Sequence, residues 1–177
     1  MRGFVARRRR YHAVIRVTCM VAAVLLGGCD RLGPPTRVTI PADSAASEID
    51  FRLSPRASAM LVSAYVNGTG PVDLIVDTGA TITCLDDSLA HELNLPRRTG
   101  AVGVGAGVGM AGPVRLLKVD SLRLGAAVAT NLTVCSLDLR ALQQVSPGAR
   151  GLLGLNFLKE FRVSIDFTRR VMQLTKP

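Results

Sequence analysis

Histidine is almost missing from this 177-residue chain, where His12 and His91 are the only two. No metal-ligand cluster can be assembled, so no metal site is expected. A Ser-His-Asp or Cys-His nucleophile would have to be built on His91, and nothing around it argues for one. Acidic residues are absent from the first 28 positions, which hold six of the 22 basic residues: Arg2, Arg7, Arg8, Arg9, Arg10 and Arg16. The formal charge of +9 is therefore concentrated at the start of the chain. From Cys29 onward, 16 basic residues face 13 acidic ones, a net of +3. The remaining Arg and Lys are scattered with no aromatic interleaving, which argues against nucleic-acid binding. A membrane-spanning helix needs about 20 apolar residues, and the apolar stretch at 17–28 supplies 12.

What the N-terminus does have is the layout of a secretory signal: clustered arginines, an apolar stretch, then small residues. It ends in Leu26-Gly27-Gly28-Cys29, which resembles the lipobox of bacterial lipoproteins. That resemblance implies a signal over 1–28, cleavage before Cys29 and lipidation of Cys29. The domain would then be membrane-held in the bacterial cell envelope, facing the periplasm. The alternative is an uncleaved or differently cleaved apolar anchor. A twin-arginine signal is a further alternative that Tyr11-His12-Ala13 fits poorly. In enteric-type lipoproteins an Asp after the cysteine goes with inner-membrane retention, so Asp30 leans that way. Residues 29–47, rich in Pro, Ser and Ala without a sustained period, read as a tether. Cys19 leaves with the signal, so Cys84 and Cys135 remain in a compartment that permits disulfides. A bridge between them and two separately buried thiols are both open.

From residue 48 to the end the pattern becomes that of one domain. Residues 49–53 alternate apolar and polar, as does part of 59–66, which predicts half-buried strands. Asn67-Gly68, between apolar runs, predicts a tight hairpin. Residues 86–93 predict a short helix capped by Asp86 or Asp87, with Leu89 and Leu93 four apart, and Pro96 stops it. Strand-like runs follow at 114–119, 122–124 and 132–137. A loop at 146–148 leads into 151–161, and a last hairpin over 162–174 turns at 168–170. The sum is mainly β, with one or two short helices. Two stretches echo one another: VNGTGPVDLIVDTGA and LRLGAAVATNLTVCSLDL each read strand, glycine turn, strand.

Between the two lies a glycine-rich segment, and Gly107 to Gly112 matches GxGxxG literally. That motif holds a pyrophosphate only where a helix begins at once. Here Pro113 and the apolar run after it read as a strand, so the match is accidental. A hairpin of small residues that lets a ligand approach the backbone is the better reading, beside a plain surface loop. Asp77 poses a sharper question. It closes the apolar run Leu74-Ile75-Val76 and is followed by Thr78, Gly79 and Ala80. A carboxylate there could be a structural turn residue. It could also be half of a pair: two carboxylates about 3 Å apart share one proton, and the pair can activate water. Asp120 and Asp138 lack the following glycine, so a second chain would have to bring the second carboxylate.

Asp77-Thr78-Gly79-Ala80 behind an apolar strand, a glycine-rich segment, and Leu152-Leu153-Gly154 near the C-terminus resemble the retropepsin-type aspartic proteases. Residues 49–177 carry the resemblance, most closely to bacterial periplasmic members with one Asp-Thr-Gly per chain. It implies a retropepsin-like, closed β-barrel-like domain acting as a homodimer on peptide or protein substrates, without a cofactor. Asp77 would be the catalytic aspartate, oriented by Thr78, Gly79 and Ala80. Leu152, Leu153 and Gly154 would pack behind it. Gly103, Val104, Gly105, Ala106, Gly107, Val108 and Gly109 would form the flap over the substrate. An acidic pH optimum would follow from the shared proton. Two departures stand out: no aromatic in the flap, and Asn156 where bacterial relatives often carry Asp. The rival reading is a non-catalytic periplasmic peptide-binding or dimerisation module of the same fold. Arg97-Arg98 and Arg169-Arg170 read as solvated turn charges. The two Asn-x-Thr triplets, at Asn67 and Asn131, read as chance.

Overall fold

The computed structural model describes residues 36–177 apart from 43, 45, 56–58, 108, 109 and 145, and of residues 99–107 and 110–114 it describes the backbone alone. The signal segment, Cys29, Val108 and Gly109 thus lie outside the described residues. In chain order the strands are β1 (Arg37–Thr39), β2 (Ser47–Leu53), β3 (Met60–Val66), β4 (Thr69–Val76), β5 (Cys84–Asp86), β6 (Arg97–Gly107), β7 (Met110–Leu124), β8 (Ala127–Leu137), β9 (Ala149–Leu153), β10 (Arg162–Asp166) and β11 (Val171–Thr175). Three short helices accompany them: α1 (Asp87–Glu92), α2 (Arg140–Gln143) and α3 (Leu155–Leu158).

Local chemistry explains several of these elements. β2 alternates as its sequence does, with Ile49 and Phe51 inward and Glu48, Asp50 and Arg52 outward. The β3–β4 hairpin turns on Asn67 (φ 50°) and Gly68 (φ 80°), the left-handed pair that a tight two-residue turn requires. Asp86 caps α1, its side chain accepting from the Ser88 amide. The glycine-rich segment is a hairpin: Gly103 pairs with Val114, Gly105 with Gly112 and Gly107 with Met110. From Met110 onward its GxGxxG match therefore lies in β7, a strand and not a helix.

The strands close on themselves. β3 pairs with β4, β4 with β9, β9 with β5, β5 with β8, β8 with β7, and β7 returns to β3 through Tyr65↔Arg123 and Val66↔Leu122. The result is a closed ring of six strands. Inside it, Leu74, Leu85, Leu122, Leu124, Leu132, Leu153 and Phe157 are fully buried. A smaller cluster of Leu61, Ile75, Ala149 and Leu152 sits on another face, with Leu142 of α2 against it. Burying each such side chain stabilises the fold by about 1.5–3 kcal/mol.

The sequence echo has a topological counterpart. The first half runs hairpin β3–β4, loop, β5, α1; the second runs hairpin β7–β8, a connection that carries α2, β9, α3. The halves interlock, since β4 is parallel to β9, β8 is parallel to β5, and β5 and β9 run antiparallel between them.

The segment read as a tether needs correcting. Residues 37–39 form β1 and pair with β8, Arg37 opposite Thr130 and Thr39 opposite Val128. Ile40 then enters the main core at 5% exposure. Buried Ser47 ties the same corner, donating to the Leu124 carbonyl at 3.0 Å and accepting from the Ala126 amide at 2.8 Å. A three-residue strand between prolines shows no period of its own, and only its pairing with β8 reveals it.

Candidate active site

β4 carries its apolar residues up to Val76, which lies in register with Leu153 of β9. Asp77 is the next residue and begins the loop to β5. Its amide donates to the Leu153 carbonyl at 3.0 Å, so the backbone at Asp77 is fixed by the strand behind it. The carboxylate is half-buried rather than sealed in the core, and Thr78 and Gly79 are exposed. Oδ1 of Asp77 accepts from the Gly79 amide at 2.8 Å, and the Ala80 amide donates back to the Asp77 carbonyl at 3.3 Å. The loop thus orients one carboxylate oxygen through its own backbone. A hydrogen bond from an amide to a carboxylate is charge-assisted and stronger than a neutral one.

Leu152, Leu153 and Gly154 are buried directly behind this loop. Because side chains alternate along β9, Leu153 enters the main core and Leu152 the smaller cluster. Gly154 lies against the loop backbone, and its amide donates to Thr83 Oγ1 at 3.0 Å. The Leu155 and Asn156 amides bond the Ala80 and Thr81 carbonyls at 2.8 and 3.1 Å. The start of α3 is therefore stitched to residues 80–83, the second half of the Asp77 loop.

Two residues that the sequence did not mark as site residues complete this support. Thr83, fully buried, donates both its amide and its hydroxyl to Asn156 Oδ1, each at 2.8 Å. Asn156 in turn donates Nδ2 to the Thr133 carbonyl of β8 at 2.7 Å. An amide side chain accepts and donates at once, a combination that an ionised carboxylate lacks. The signal that could have singled out Thr83 was a polar residue inside the apolar run 82–85. Arg98 was read as a solvated turn charge. It is instead half-buried, and its Nη1 donates to Thr133 Oγ1.

Asp138 is the topological twin of Asp77, following β8 as Asp77 follows β4. The likeness extends to local geometry, for the Arg140 amide donates to Asp138 Oδ1 at 3.0 Å, two residues on, as Gly79 does for Asp77. The two aspartates nevertheless sit at opposite ends of the barrel, because β8 runs antiparallel to β4. Counting along the registers puts them about five residues of strand rise apart, roughly 16 Å. Asp138 also pairs with the Arg140 guanidinium, whose hydrogen bonds hold its carboxyl down at a pKa of about 2.

Cys84 and Cys135 are bridged, with their Cα atoms 4.4 Å apart where β5 and β8 run in register. Cys84 directly follows Thr83, so the bridge secures the far end of the Asp77 loop. A closed loop of 51 residues stabilises by about 4 kcal/mol in the chain-entropy picture.

The hairpin β6–β7 carries Gly103, Val104, Gly105, Ala106 and Gly107 on its first strand. Among the described residues β6 ends the sheet, with β7 as its strand partner.

An aspartyl protease family profile matches residues 62–157. Among solved structures, a retropepsin-like aspartic protease from Rickettsia conorii is 18% identical, with a TM-score of 0.52 over 80% of this chain and 94% of its own. The structure of edgp is 11% identical, with a TM-score of 0.54 over 75% of this chain and 46% of its own. The retroviral protease-like domain of Ddi1 from Leishmania major is 17% identical, with a TM-score of 0.41 over 66% and 92%. No curated protein matches the chain. The expected mainly β, retropepsin-like barrel is the fold found.

Proposed function

Because the chain belongs to the aspartyl protease family, we propose that it hydrolyses peptide bonds with a water held between two Asp77 carboxylates, one from each of two copies. The observation that carries this reading is the position of Asp77, half-buried at the end of β4 with one oxygen held by the Gly79 amide. Its in-chain twin, Asp138, is too far away and already paired. A dyad needs carboxylates about 3 Å apart, so a second copy must supply the other one. In the pair, the ionised carboxylate takes a proton from water while the protonated one donates to the scissile carbonyl. Exposed Thr78 and Gly79 are free to face the second copy, and the glycine-rich hairpin offers backbone to an extended peptide. One carboxyl must keep its proton, so activity is expected on the acid side. The same reading places the domain in the bacterial envelope through a lipid on Cys29, a step supported by Leu26-Gly27-Gly28-Cys29 alone.

The test is cleavage of an unbiased peptide library by the purified protein from roughly pH 3 to 8, beside its Asp77→Asn variant. Discrete cuts that vanish in the variant are expected. Cuts that survive Asp77→Asn would remove Asp77 from the chemistry, and none at any pH from a protein shown to be dimeric would turn the reading to a peptide-binding module.

A further inference from the structure

We infer that Arg98 is a positioning residue, tying the root of the glycine-rich hairpin to the hydrogen-bond chain that holds the Asp77 loop. The β6–β7 ladder is interrupted at this point. Arg97 faces Leu117, but the next pair is Val102 with Arg115, so extra residues of β6 bulge out between them. A bulge weakens pairing and re-aims a strand. The ladder alone therefore fixes the hairpin's departure angle poorly. Arg98 sits in that bulge, and its guanidinium reaches past β7 to Thr133 Oγ1 on β8.

Thr133 is where two systems meet. Its hydroxyl takes the bond from Arg98, while its carbonyl takes the 2.7 Å bond from Asn156. Asn156 accepts from the Thr83 amide and hydroxyl, and Thr83 Oγ1 accepts from the Gly154 amide at 3.0 Å. A path of hydrogen bonds, joined at Thr133 through that residue's own covalent frame, thus runs from the hairpin root to the loop that begins at Asp77 and to the strand end behind it. Each bond restrains the residue it ends on, and Asn156, Thr83 and Gly154 form a connected, largely buried network of the kind that rigidifies a fold. The hairpin and the loop are held as a unit, so peptide positioning and carboxylate geometry respond together when Arg98 is changed. Its consequence for catalysis rests on the protease reading above; its consequence for the loop does not.

The experiment separates the two. Native-state hydrogen exchange is followed at the Thr83 and Gly154 amides in the full chain, for wild type, Arg98→Ala, Arg98→Lys, Thr133→Val and the Arg98→Ala/Thr133→Val double variant. Thr133→Val removes the hydroxyl but keeps the carbonyl that Asn156 uses. The same proteins are assayed for kcat and KM on a peptide that wild type cuts. Loss of one hydrogen bond corresponds to about 3- to 10-fold faster exchange. That increase is expected at both amides in Arg98→Ala and in Thr133→Val, with no further increase in the double variant. KM should rise and kcat fall in parallel, and Arg98→Lys should recover part of both. Unchanged exchange at Thr83 and Gly154 in Arg98→Ala, or additive effects in the double variant, would overturn the coupling. Altered exchange in a protein that cuts nothing would keep the coupling and sink the protease reading.

Discussion

Gly154 has no room for a side chain. A Cβ there would lie 2.6 Å from the Ile82 carbonyl carbon and 2.7 Å from both the Ile82 oxygen and the Thr83 nitrogen. All three are backbone atoms of the Asp77 loop, so one methyl group would force that loop off β9. Gly154→Ala is expected to lose about 1–3 kcal/mol, the usual cost of overpacking, read as a lower urea midpoint at unchanged slope. An unaltered midpoint would mean the loop yields freely. Gly79 is tight in a different way, for its added Cβ would meet Asp77 Oδ1 at 3.2 Å. At this scale the sequence was legible where a residue type is itself improbable. A carboxylate after Leu-Ile-Val and a glycine after Leu-Leu each ask for a reason. Arg98 and Thr133 are ordinary strand residues in sequence, and Thr83 shows only as a polar residue in an apolar run. Their meaning lies in partners 35 and 73 positions away, which no local pattern encodes.

At the scale of elements, α1 is the clearest case of local chemistry joined to tertiary contact. Asp86 is buried, yet it caps the helix through the Ser88 amide at 3.0 Å and also accepts the Leu139 amide at 3.1 Å, from the turn after β8. Burial pushes its carboxyl up, but the Ser88 side chain, the Leu139 and Ser88 amides and the Arg150 charge together outweigh it. Its pKa is therefore lowered. A carboxyl depressed by folding adds stability above its unfolded pKa, about 3.9, and loses that contribution as pH falls through the folded value. The expected outcome is a Tm gap between wild type and Asp86→Asn that is widest near neutrality and narrows on acidification below the ordinary Asp range. A gap constant with pH would show that the charge contributes nothing. This helix and the Asn67-Gly68 hairpin were readable because their signals are contiguous. The insertion of β9 between β4 and β5 was not, since parallel pairing across 75 or more residues leaves no local trace.

At the scale of the whole molecule, the question is where the domain begins. A start at residue 48 would discard β1, Ile40 and Ser47. The structure ties all three into the barrel, with Thr36 Oγ1 adding a bond to the Asn131 carbonyl at 3.1 Å. The sequence hid this because Pro, Ser and Ala are frequent in the stretch, and linker composition masked a short strand that only β8 can complete. If Cys29 carries the lipid, residues 30–36 are the spacer left, spanning at most roughly 25 Å when fully extended. The domain would then work close to the membrane surface, on substrates presented there. The measurable part is stability. Removing residues 36–47 exposes the core face that Ile40 covers, and restoring that burial is worth about 1.5–3 kcal/mol on its own. It also leaves the edge of β8 at Val128, Ala129 and Thr130 without its β1 partner, although β7 stays paired on the other side. A chain beginning at residue 48 should therefore unfold at lower urea than one beginning at 36, by at least the Ile40 contribution. An Ile40→Ala variant of the longer chain should lose only part of that difference. Equal midpoints for the two lengths would return residues 36–47 to the tether. In that case the working distance from the membrane would lengthen accordingly.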